Sequence, residues 1–96
     1  MPTPEIIYYI NASTLRGIVN RVLNAFDAKN SQSQTIALNF TDIVARGLRA
    51  CATDPLPTHL PVEAVRKAAV EQFTDEVSAS IMQRVERAAY RIPHND

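Results

Sequence analysis

The spacing of apolar residues in the last third of the chain is the feature that most constrains its fold. From residue 61 to residue 92, apolar side chains recur every three or four positions, which is the period of an α-helix and not that of a strand. Charged side chains occupy most positions between them, so the opposite face is polar. The pattern predicts an amphipathic helix whose apolar stripe is formed by Val62, Val65, Ala69, Phe73, Val77, Ile81, Val85, Ala88 and Ile92.

A single unbroken helix over this span would be longer than the rest of the domain is wide. It would extend about 48 Å at 1.5 Å per residue, whereas a compact domain of this chain length has a diameter of about 30 Å. One solution is a break at Thr74-Asp75, because threonine can cap a second helix. The other is a projecting helix that pairs with another chain. The apolar spacing continues unchanged through Phe73 and Val77, which favours a continuous helix and therefore a homodimer.

Length and composition indicate one small domain built from helices. Ninety-six residues leave no room for two independent cores. The chain is 46% hydrophobic and 21% charged, as is typical of globular proteins, and its two glycines are too few for the many tight turns of an all-β fold. We therefore predict a mostly α-helical single domain, residues 1–96, with three to four helices, a possible short N-terminal β-strand and a long C-terminal amphipathic helix.

Two more helices are predicted before the C-terminal one. The first begins near Ser13 and ends near Ala28, and the second lies between Thr35 and Ala52. Gly17 is a weak point of the first helix, because glycine costs about 1 kcal/mol relative to alanine unless another backbone packs closely there. Residues 53–60 form a proline-rich connection that a helix cannot cross, and residues 93–96 are expected to fray.

The N-terminal segment, residues 1–12, allows two interpretations. The β-branched and aromatic residues at positions 6–10 favour an extended or strand-like conformation. Thr3-Pro4-Glu5 equally suits the first turn of a helix. Residues 35–38 could form a short strand that pairs with residues 6–10, with the second helix starting at Thr41. Both alternatives remain open at the level of sequence.

Charge and cysteine content favour a cytoplasmic protein without a membrane partner. Ten basic and ten acidic side chains balance, and the single Cys51 cannot form an intramolecular disulfide. Residues 1–15 lack the pattern of a signal peptide, and no apolar run approaches the ~18–20 residues that span a bilayer.

Residue types that usually carry out catalysis are scarce. His59 and His94 are far apart in the sequence, and neither is next to a plausible nucleophile. Cys51 follows an apolar stripe, which is typical of a buried free cysteine. No metal-binding or nucleotide-binding motif is present. We therefore expect a protein that is not an enzyme, with no catalytic residue, no metal site and no cofactor.

Three arginines form the best candidate for a nucleic-acid interface. Arg84, Arg87 and Arg91 are spaced to lie on one face of a continuous helix, where they could contact phosphates. Glu86 interrupts the cluster, and no helix-turn-helix pattern accompanies it. Nucleic-acid binding is therefore the alternative function and not the first.

The favoured function is a non-enzymatic protein–protein interaction module that acts as a small regulator, adaptor or inhibitor by covering a partner's surface. The partner is another protein, a second copy of the chain, or both, because the long helix has more apolar surface than its own core can cover. Adjacent strand residues point to opposite faces, so one of Tyr8 and Tyr9 should be exposed. The predicted interface residues are Phe73, Val77, Ile81, Val85 and Tyr9.

Overall fold

The fold was analysed in a computed structural model, which describes residues 7–26, 32–47 and 58–91. Within these residues the chain forms four α-helices and two short strands. In chain order they are β1 (Tyr9–Asn11), α1 (Ala12–Phe26), α2 (Ser33–Gly47), β2 (His59–Pro61), α3 (Val62–Gln72) and α4 (Asp75–Ala88). The predicted mostly helical domain with a short N-terminal strand is confirmed.

The first helix begins where its sequence offers a cap. The side-chain oxygen of Asn11 accepts hydrogen bonds from the backbone N–H of Ser13 at 2.9 Å and from the Ser13 hydroxyl at 2.7 Å. This satisfies one of the N–H groups that the first turn of a helix leaves unpaired. One apolar stripe of α1 then faces the core, and its buried members are Leu15, Ile18, Val19 and Val22.

Residues 35–38 are helical, so the alternative in which they form a strand is wrong. They lie in α2, whose buried residues Ala37, Phe40 and Val44 follow the helical repeat. The Thr41 hydroxyl, instead of capping a new helix, donates to the carbonyl oxygen of Ala37 at 2.8 Å. One continuous apolar face therefore decides the conformation of the whole segment.

The partner of the N-terminal strand comes from the end of the proline-rich connection. β1 and β2 are antiparallel, with Ile10 opposite Leu60, and both of these side chains are fully buried. A hydrogen bond of 2.7 Å from the Ala12 N–H to the Thr58 carbonyl extends the pairing. The last two residues of the connection predicted at residues 53–60 thus belong to β2, and residues 53–57 lie outside the described part of the chain.

The predicted continuous C-terminal helix is wrong, because the chain leaves the helix at Phe73 and Thr74. Both residues have extended backbone angles, and the Thr74 hydroxyl oxygen accepts a hydrogen bond from the N–H of Val77 at 3.3 Å. The Phe73 ring lies 5.1 Å from the ring of Phe40 in α2. Threonine therefore caps α4, as the alternative interpretation of the sequence proposed.

The C-terminal helix is also shorter than predicted at both ends. Pro61 is the last residue of β2 and the cap of α3, so the helix begins at Val62. At the other end, α4 stops at Ala88, and Tyr90 pairs with Tyr9 through two backbone hydrogen bonds of 2.8 and 2.9 Å. The predicted tail, residues 93–96, lies outside the described residues.

The core is shared by all four helices. α1 packs against α2 and α4, and α3 packs against α2 and α4. Because α3 and α4 fold back onto the same core, a homodimer is not needed to cover a protruding helix. In the described part of the chain, no helix combines the length and the apolar character needed to cross a membrane.

Candidate functional site

Most of the predicted interface residues are used inside this chain. Ile81 and Val85 are fully buried, and Phe73 and Val77 are partly buried against the core. Tyr9 is half-buried between two neighbours in the sheet, whereas Tyr8 is 48% exposed. Within a single copy of the chain, the surface available to a partner therefore lies elsewhere.

A groove of about 360 Å³ lies between the start of β1, the first turns of α3 and the end of α4. We call it the strand–helix groove. Ile7 and Tyr8 line it, and each is 48% exposed, which is high for large apolar side chains. Clustered exposed apolar residues beside a concavity are typical of binding sites. The complete lining is Ile7, Tyr8, Pro61, Val62, Glu63, Arg66, Glu86 and Ala89.

The charged side chains of the strand–helix groove belong to one ion-pair network. Arg66 lies between two carboxylates, with a nitrogen–oxygen distance of 3.4 Å to Glu63 and 3.2 Å to Glu86. Two carboxylates against one guanidinium leave a net charge of −1 in the groove. The glutamates are 82% and 55% exposed, so the network contributes little to stability and remains available to a charged partner.

A second groove, of about 420 Å³, runs between α1 and α2. We call it the helix-hairpin groove. Gly17 lies in it, and a Cβ atom added there would have no neighbour within 4 Å. The close backbone packing that could explain this glycine is therefore absent from the described structure, although glycine costs about 1 kcal/mol relative to alanine in a helix. The complete lining is Ser13, Arg16, Gly17, Asn20, Gln34 and Leu38.

A buried serine joins α1 and α2 beside the helix-hairpin groove. Ser33, the first residue of α2, is only 4% exposed, and its hydroxyl oxygen lies 2.8 Å from Asn20 Oδ1 and 2.7 Å from Asn24 Oδ1. The hydroxyl has one hydrogen and donates it to one of the two carbonyls at a time. Asn20 also lines the groove, so the buried serine contacts one of the side chains of its lining.

The predicted nucleic-acid residues are exposed, but they do not share one helix. Arg84 and Arg87 lie one turn apart on α4, whereas Arg91 follows the end of the helix. The prediction that all three share a helix face is therefore wrong for Arg91. None of the three forms an ion pair with another described residue.

Of the residues considered for catalysis, the described structure includes one. His59 in β2 makes a short contact through Nδ1 with the Tyr90 hydroxyl, and the two rings meet edge to face with centroids 5.7 Å apart. Among residues 7–26, 32–47 and 58–91, no three histidine, cysteine, aspartate or glutamate side chains gather where they could hold a metal ion. Cys51 and His94 lie outside these ranges.

Only part of each groove could be predicted from the sequence. The spacing of Glu63 and Arg66 indicates an ion pair on one helix face, but nothing along the chain joins them to Ile7 or Glu86. Gly17 is recognisable as a weak point of a helix, while the space above it is a property of the folded chain.

Comparison of the chain with protein-family models, with curated proteins and with solved structures finds no match. Its function must therefore be inferred from its own residues.

Proposed function

We propose that the chain is a protein-binding module that holds a segment of a partner protein in the strand–helix groove. The observation that carries this proposal is the pair Ile7 and Tyr8, both half-exposed beside a concave surface. Tyrosine is enriched among the residues that dominate binding energy at interfaces, because it combines a large apolar ring with a polar tip.

The charge of the groove defines the chemistry of the partner segment. With Glu63 and Glu86 sharing Arg66, the rim has an excess of one negative charge beside an apolar floor. A segment that presents an apolar side chain next to lysine or arginine complements both features. As a regulator or adaptor, the module would act by occupying that segment.

Selection from a displayed peptide library tests the proposal. We expect the selected peptides to carry a large apolar residue beside a basic one. Tyr8→Ala should weaken their binding about tenfold or more, as for a central interface residue. Val70→Ala is the matched control, because Val70 is 60% exposed and lies outside the groove. Selection of acidic peptides, or equal binding by the Tyr8→Ala variant, would contradict the proposal.

The mass in solution, measured by light scattering, tests whether a second copy of the chain occupies the groove. A dimer that dissociates in the Tyr8→Ala variant would assign the groove to a second copy of the chain. A monomer that binds the selected peptides supports a partner protein.

Nucleic-acid binding remains the second candidate, because Arg84, Arg87 and Arg91 are exposed and unpaired among the described residues. Three phosphate contacts would give a slope of about −2.7 in a plot of log affinity for duplex DNA against log salt. Arg87→Glu should reduce that slope and weaken binding, whereas Lys67→Glu on α3 makes the same charge change away from the cluster. Equal effects of the two variants would contradict a site at these arginines.

A further inference from the structure

The fold itself does not explain the glycine at position 17. Gly17 has an ordinary negative φ, since the described residues contain no glycine at positive φ. It lies in the interior of α1, where glycine is the weakest helix former after proline. Apart from its chain neighbours and the backbone of its own helix, no atom of the described residues lies within 4 Å of the position that a Cβ would occupy. Neither backbone conformation nor packing by the described residues therefore requires glycine here.

What glycine does at this position is expose the backbone of α1 to the helix-hairpin groove. A side chain would project into the space between α1 and α2, next to Asn20 and Leu38. Without one, a molecule in the groove can make van der Waals contact with the helix itself. Close approach of another backbone is one use of glycine in a helix interior. Among residues 7–26, 32–47 and 58–91 no second backbone is there, so we look to one from a partner.

The lining of the groove selects the charge of its occupant. Arg16 is exposed and forms no ion pair with another described residue. Asn20 and Gln34 add amide N–H donors, and no carboxylate of the described residues lines the groove. Leu38, 43% exposed, provides an apolar contact at the same place. The groove thus combines a positive charge and donors with a small apolar surface.

We infer that the helix-hairpin groove is a second docking site, which binds an acidic amphipathic helix of a partner protein across Gly17. A glutamate or aspartate of that helix pairs with Arg16, and an apolar residue packs on Leu38. The site shares no residue with the strand–helix groove, and its charge is opposite in sign. It therefore stands independently of the function proposed for that groove.

Binding of a labelled amphipathic helical peptide, measured by fluorescence anisotropy, tests this site. The probe carries leucines on one face with glutamates beside them, and a second peptide carries lysines in place of the glutamates. We expect the glutamate peptide to bind more tightly. Arg16→Glu should weaken its binding about tenfold, while Arg21→Glu, on the same helix outside the groove, should leave it unchanged.

Replacement of the glycine separates binding from folding. Gly17→Ala should raise the melting temperature by about 4–8 °C, because alanine is the better helix former. The same substitution should nevertheless weaken binding of the glutamate peptide about fivefold or more, since the added methyl group overpacks the contact. Gly47→Ala is the matched control, because Gly47 also has no neighbour within 4 Å but does not line the groove.

Three results would overturn the inference. They are failure of the wild-type chain to bind the glutamate peptide at millimolar concentration, equal binding of the lysine peptide, and unchanged binding after Gly17→Ala. The Tyr8→Ala variant separates the two grooves, because it should bind the glutamate peptide as the wild type does. Loss of binding in that variant would be a fourth contradicting result, because it would place the peptide in the strand–helix groove instead.

Discussion

Replacement of Thr74 by alanine distinguishes the two interpretations of the C-terminal third by the sign of its effect on stability. In the structure the Thr74 hydroxyl caps α4 by accepting the N–H of Val77 at 3.3 Å. Loss of such a cap costs about 0.5–2 kcal/mol of unfolding free energy. In a continuous helix the same change would instead stabilise the chain, by up to about 0.7 kcal/mol, because alanine is the best helix former.

Thermal unfolding followed by circular dichroism measures this difference. For a domain of this size, a loss of about 1 kcal/mol lowers the melting temperature by about 4–8 °C. Thr74→Ser keeps a hydroxyl oxygen at the cap and should unfold close to the wild type. A higher melting temperature for Thr74→Ala, together with a stronger helical signal, would refute the helix break at Phe73 and Thr74.

Substitutions at three further positions test the core, the pairing of α1 with α2 and the surface ion-pair network. Ile81→Ala should lower the unfolding free energy by about 2–5 kcal/mol in urea titrations, and Ile81→Asp should abolish folding, because the side chain is fully buried. Ser33→Ala should lower the unfolding free energy by about 0.5–1.5 kcal/mol, since the hydrogen bonding to α1 is lost. Arg66→Ala should change the unfolding free energy by less than about 1 kcal/mol, because both ion pairs are exposed. A large loss of stability in the Arg66 variant would show that this network supports the fold.

The first two helices could be predicted because their stability depends on a single apolar face. The stripes of α1 and α2 each pack on one core, so the order of residues along the chain carries the necessary information. The strand pairing could not be predicted in the same way. β2 has three residues, one of them Pro61, and its conformation is fixed by the burial of Leu60 opposite Ile10. That contact joins residues far apart in the sequence.

The helix break illustrates what periodicity cannot detect. The apolar spacing continues from α3 to α4 because both helices pack on the same core. The spacing of apolar residues shows which positions are buried, but it does not show whether the helix axis continues or changes direction. The local cap signal at Thr74-Asp75 was present in the sequence. It outweighs the uninterrupted apolar spacing because the break brings the Phe73 ring onto Phe40.

The two grooves also change what a net charge of zero means for this protein. Ten basic and ten acidic side chains cancel over the whole chain, yet the strand–helix groove holds two glutamates against Arg66, and the helix-hairpin groove holds Arg16 with no opposing carboxylate among the described residues. Charges at a binding surface act over about 8–10 Å at physiological salt, so the local balance, and not the total, selects a partner. If both proposed sites bind as we infer, the chain holds two segments of opposite charge at once. Neutral composition is therefore compatible with a module that joins two partners.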